Sequence, residues 1–138
     1  AELVRNWITP PEGSDSPAVE PSTVAVLTRG VNDRSQFVRA LGERGVQARA
    51  LDSNPASPDH VQVLTMHRAK GMEFSPVILA GIDNTHVPSA ATLRSVPTEE
   101  RDEALLRERS LLYVAASRAR DELVVTWSGT KSALLGNG

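Results

Sequence analysis

The chain has 138 residues, 40% apolar and 23% charged, with 15 Lys and Arg against 17 Asp and Glu. That is the size of one domain with enough apolar material for a core, and it excludes a disordered charged tail and a strongly basic nucleic-acid coat. One basic groove on an otherwise acidic surface stays compatible with the net charge of -2. There is no cysteine, so disulfides, thiolate metal sites and cysteine nucleophiles are excluded. Three well-separated histidines (His60, His67, His86) do not make a zinc cluster, and no metal site is expected. No apolar run is long enough to span a bilayer and no signal-peptide pattern opens the chain, which points to a cytoplasmic protein. Only Lys70 and Lys131 are lysines; the arginine bias is explained most simply by base composition.

Residues 1–23 divide into a helix end, Ala1 to Ile8, and a loop with Pro10, Pro11, Pro17 and Pro21. The helix has the look of one cut off upstream, with Trp7 in a dangling piece. From Val24 the pattern is α/β. Val24 to Thr28 suits a buried strand, and Asn32 or Asp33 can cap a helix that runs to Arg44 and stops at Gly45. Val46 to Leu51 is a second, weaker strand, followed by a turn cluster from Asp52 to His60. Val61 to Met66 and Val77 to Ala80 are further strands. Thr98 to about Ala119 is the longest helix, opened by a capping residue and early acids, with Leu105, Leu112, Ala115 and Ala119 at helical spacing. Leu123 to Thr126 closes the series. Strands separated by helices predict a mainly parallel sheet with helices on both faces.

Parallel α/β sheets bind ligands beyond the carboxyl ends of their strands. Two of these strands run directly into polar residues, at Arg29 and at His67. Thr65 to Phe74 then brings a hydroxyl, an imidazole, two cations, a glycine and a carboxylate into one loop. Arg68, Lys70 and the backbone N–H groups near Gly71 suit phosphate, and Glu73 suits a sugar hydroxyl. By spacing alone, the simpler reading is a solvated loop with Gly71 present for its backbone freedom.

The residues VQVLTMHRAKGMEFSPVILAGI resemble motif V of the UvrD/Rep/PcrA-type superfamily 1 DNA helicases, T-x-H-x-x-K-G-L-E-F. Thr65, His67, Lys70, Gly71, Glu73 and Phe74 match, and Met72 replaces the usual Leu. RERSLLYVAASRARDELVV resembles motif VI, L-x-Y-V-A-x-T-R-A, through Leu111 or Leu112, Tyr113, Val114, Ala115, Arg118 and Ala119, with Ser117 for Thr. VAVLTRGVND resembles the family's A-V-L-x-R-x-N segment through Arg29, but Val31 occupies the Asn position. The three segments occur in the family's order between Val24 and about Ser128. The resemblance implies a C-terminal, RecA-like helicase domain over residues 24–138, a three-layer α/β sandwich. It also implies partners: single-stranded DNA and the N-terminal RecA-like domain of the same chain, with no membrane.

Residue by residue, the resemblance makes Arg118 the catalytic arginine that reaches the γ-phosphate of ATP, with Gly71 and Glu73 completing an ATP-binding set and Glu73 on the ribose. Without the motif, Arg118 reads as a helix-surface cation paired with Glu122 at i+4. Arg29, Thr65 and His67 become DNA-binding residues; otherwise Arg29 is a solvated loop cation and His67 a hydrogen-bonded strand-end histidine. Lys70 meets phosphate or the partner domain, and Tyr113, like Trp127, is expected to be packed. The cofactor is ATP with Mg2+, the metal being held by the first domain. No G-x-x-x-x-G-K-[ST] segment occurs, so this chain alone is expected to hydrolyse no ATP. The short turn between Leu51 and Val61 resembles a compact family member or one lacking its accessory domain. Two rival functions use the same residues. A non-catalytic DNA- or protein-binding module of a repair complex would lack a P-loop in the full protein. A helicase–nuclease fusion would carry a carboxylate-rich nuclease domain.

Overall fold

The computed structural model describes residues 2–15, 17–50, 58–83, 87 and 94–135. Leu51, most of the expected turn cluster and His86 lie outside them.

Five strands form one parallel sheet: β1 (Ala25–Thr28), β2 (Ala48–Ala50), β3 (Val61–Thr65), β4 (Phe74–Leu79) and β5 (Ala119–Val125), in the order β2-β3-β1-β4-β5. Among the described residues, helices α1 (Glu2–Ile8), α2 (Val31–Glu43) and α3 (Arg101–Ala116) flank it. Alternate strand residues face opposite layers. Ala25, Leu27, Leu64, Val77 and Leu79 pack with Leu112 and Ala115 of α3. Val24, Val26, Val61, Val63, Ile78 and Ala80 pack with Val4 of α1 and Leu41 of α2. The expected three-layer α/β sandwich, helices on both faces, is what forms. Strands β1, β3 and β4 are buried on both sides, which is why they are near-continuous Val and Leu runs rather than alternating ones.

Several boundaries differ from expectation, each for a local reason. Helix α2 begins at Val31 with extended Gly30 as its N-cap, so neither Asn32 nor Asp33 is the capping residue. Its end is as expected. Gly45 has φ +81°, Val46 N–H donates to Leu41 O and Gly45 N–H donates to Gly42 O, a paired closure that a left-handed glycine permits. Thr98 opens a 3-10 turn (Thr98–Glu100) without making a side-chain cap. Helix α3 ends at Ala116, and Ala119 is instead the first residue of β5. Strand β4 starts at Phe74 because a register irregularity between Phe74 and Pro76 lets the proline sit inside a strand. Strand β5 is an edge, and its exposed Arg120, Asp121 and Glu122 are the charges expected there.

Trp7 does not dangle. It packs against the second core layer, and its Nε1–H donates to Glu122 Oε2 at 3.1 Å across 115 residues of sequence. Tyr113 and Trp127 are not packed either; they are 76% and 48% exposed.

Candidate functional site

The sheet sorts the candidate residues to its two ends. Thr28 and Thr65 are register partners on neighbouring parallel strands, and Met66 N–H donates to Thr28 O at 2.8 Å. Arg29, Thr65 and His67 therefore cluster at the carboxyl ends of β1 and β3. Phe74 and Ala119 are partners at the amino ends of β4 and β5, where Phe74 N–H donates to Arg118 O at 2.9 Å. Glu73 and Arg118, each one residue before its strand, thus lie side by side at the opposite end. At about 3.3 Å per residue the two groups are separated by roughly 15–20 Å.

The loop between β3 and β4 joins these ends. It is a run of turns: Ala69 N–H donates to Thr65 O and Met72 N–H to Ala69 O, while Ala69 is fully buried against the first core layer. Thr65 Oγ1 accepts from Arg68 N–H at 3.3 Å, so the hydroxyl also braces the loop. Gly71 has φ +83°, and open space surrounds the place of a Cβ; backbone conformation, not crowding, requires glycine there. His67 and Lys70 are exposed and, with Met66, Leu106, Arg107, Ser110, Leu111 and Val114, line an open cavity of about 360 Å³ against α3.

Arg118 is half-buried and anchored from three sides. Its Nε donates to Val114 O at 3.2 Å, Nη1 to Met72 O at 3.3 Å and Nη2 to Ser117 Oγ at 3.1 Å. The i+4 pair with Glu122 does not form, because the helix has ended and Glu122 accepts from Trp7. Glu73 is well exposed, 3.9 Å from Arg120, an ion pair too solvated to fix it. One guanidinium, one exposed carboxylate and an exposed glycine turn suit one wall of a nucleotide site, and the sequence holds no G-x-x-x-x-G-K-[ST] segment for the other. Among the described residues no cluster of acids and histidines suits a metal ion.

Arg29 is not a solvated loop cation. Nε donates to both oxygens of Glu108, at 3.2 and 2.9 Å, and Nη2 to Oε1 at 2.5 Å. Glu108 is the functional candidate that motif matching passed over. The signal was present: Ala104, Glu108, Leu112 and Ala115 share the buried stripe of α3, and a carboxylate on such a stripe needs a partner.

The parallel α/β domain thus carries its candidate residues at the two ends of one sheet, with a turn-rich loop running between them. Residues 48–130 match the family model for the UvrD-like helicase C-terminal domain, and the chain belongs to that family. It is 31% identical over 96 residues to the ATP-dependent DNA helicase Rep of Buchnera aphidicola, covering 70% of this chain and 14% of that protein. DNA helicase II of Escherichia coli is 36% identical over 73 residues, covering 53% of this chain and 9% of that one. The chain thus spans only a small part of these relatives. A crystal structure described as the C-terminal domain of a possible DNA helicase from Lactobacillus plantarum superposes with a TM-score of 0.62 at 28% identity, covering 83% of this chain and 62% of that one.

Proposed function

We propose that this domain completes the ATP site of a DNA helicase and carries half of its single-stranded DNA track. The observation that supports it is the separation of the two residue groups, with the Met66–Glu73 loop and α3 spanning the distance between them. Arg118 supplies charge for the γ-phosphoryl group as it departs, Glu73 accepts from the ribose, and Gly71 belongs to the same ATP-binding set. ATP with Mg2+ is the cofactor, the metal being held by the N-terminal RecA-like domain of the full protein. Arg29, Thr65 and His67 meet the DNA strand, and Lys70 a phosphate or that domain. Leu106 and Tyr113, 61% and 76% exposed on α3, agree with a face that a neighbouring domain covers. A cytoplasmic place fits; among the described residues no helix is long and apolar enough to cross a membrane.

Titration of the purified 138-residue chain tests the track. Binding to a labelled oligo-dT should be weak and should fall as salt rises, with a log–log slope of about -0.7 per phosphate contact. Tight, salt-insensitive binding to one duplex sequence would overturn the helicase reading. The same chain, having no P-loop, should hydrolyse ATP no faster than buffer. DNA-stimulated turnover by the pure chain, lost in Arg118→Ala, would show that the division of labour is wrong.

A further inference from the structure

Glu108 is 5% exposed and stands on the buried stripe of α3 between Ala104 and Leu112, its carboxylate spanning the Nε–Nη2 edge of Arg29. The Arg29 side chain is itself only 17% exposed. A buried pair of this kind gives little stability that apolar residues of the same size would not give, whereas a two-pronged carboxylate fixes the plane of a guanidinium. Nη1, the remaining edge, makes no bond within the described residues. Arg29 follows β1 directly, and β1 lies beside β3, whose end leads into His67.

We infer that Glu108 is a positioning residue for DNA: it grips Arg29 by one edge and holds the Nη1 edge ready for a phosphate of the strand that passes Thr65 and His67. The inference rests on the DNA-track reading above. It also assigns Arg29 a particular character. An arginine already neutralised by a carboxylate adds little to long-range attraction and mainly sets the register of the backbone at close contact. Glu108 thereby ties the DNA end of the sheet to the helix that ends two residues before Arg118.

The sign of one substitution separates this from plain electrostatics. Glu108→Gln keeps the side chain's size and removes a negative charge beside the track, so bulk attraction alone predicts tighter DNA binding. Positioning predicts the opposite. Anisotropy of a labelled oligo-dT on the 138-residue chain at low salt should show Glu108→Gln weaker than wild type by about three- to tenfold, the size of one oriented hydrogen bond. Arg29→Lys, which keeps the charge and loses the fork, should weaken binding to a similar degree. Glu108→Gln at or above wild-type affinity, with Arg29→Lys weakened, overturns the positioning role and leaves the track intact. A wild-type chain that binds no oligo-dT, or an Arg29→Lys chain that binds as wild type does, removes the track and the inference together. Should circular dichroism show Glu108→Gln unfolded at the assay temperature, Glu108→Asp replaces it. The shorter carboxylate draws the guanidinium inward at constant charge; weaker binding is again expected, and unchanged binding overturns the inference.

Discussion

Arg118→Ala in the full protein should lower kcat for DNA-stimulated ATP hydrolysis by about 10³–10⁵, the worth of an arginine that meets a departing γ-phosphoryl group in other phosphoryl-transfer enzymes. Unwinding should fall with it. Nucleotide affinity should weaken far less, because a charge needed most at the transition state contributes little to ground-state binding. Arg118→Lys should restore little, since a point charge does not reproduce the planar fork. The domain should stay folded. Phe74 is held by the backbone carbonyl of residue 118, which survives substitution, and the three side-chain bonds at this half-exposed position are ones water can replace at a cost of about 1 kcal/mol. Steady-state kinetics beside a thermal melt decides it. Intact turnover in a domain that melts early would make Arg118 a structural link between α3 and the Met72 carbonyl, and the catalytic assignment would fall.

The same three bonds bear on how the residue works. In the isolated domain the guanidinium is parked on Val114 O, Met72 O and Ser117 Oγ rather than projecting free. Met72 belongs to the loop that begins at the carboxyl end of β3, so a shift of that loop changes what holds Arg118. Neutral carbonyl and hydroxyl acceptors compete poorly with a phosphate oxygen, so under the proposed function these bonds give way when Arg118 meets a nucleotide.

Sequence periodicity located β1, β3 and the body of β4 because buried parallel strands are short, apolar and bounded by turn residues. It lost the amino-terminal halves of β4 and β5. Ser75 and Pro76 are ordinary turn signals, and only the register irregularity makes a proline tolerable there. Arg120, Asp121 and Glu122 break the apolar pattern, because an edge strand has no second layer of its own width to cover it. The motif residues were legible as a set, and Arg29 and His67 already stood after their strands, but Glu73 and Arg118 had no place on the sheet while the amino-terminal halves of β4 and β5 went unread. Glu73 and Arg118 precede their strands, whereas His67 and Arg29 follow theirs, and pairing alone reveals the distance between them. Glu108 was visible as an acid at a core position of α3; its partner, 79 residues away, was not.

Helix α1 was expected as a helix but not as part of the core, and it carries the last prediction. Helix α1 is docked on the second core layer, where Val4, Trp7 and Ile8 pack. Val4 is 1% exposed and packs in the layer that contains Val26, Leu41 and Ile78, whereas Leu3, one residue earlier, is 38% exposed. Val4→Asp places a carboxylate without a partner among these side chains. The cost is several kcal/mol, against a total stability for a domain of this size of about 5–15 kcal/mol. The 138-residue chain should therefore be largely unfolded, or lack a cooperative melt, at room temperature. Val4→Ala should cost about 2 kcal/mol and lower Tm by roughly 6–10 °C, through lost burial and the space left behind. Leu3→Ala, on the solvent side, should change Tm by little more than the error of the measurement. A free N-terminal tail predicts the same melt for all three. If Val4→Asp melts with wild type, the first eight residues do not belong to the core and the docking of α1 is wrong.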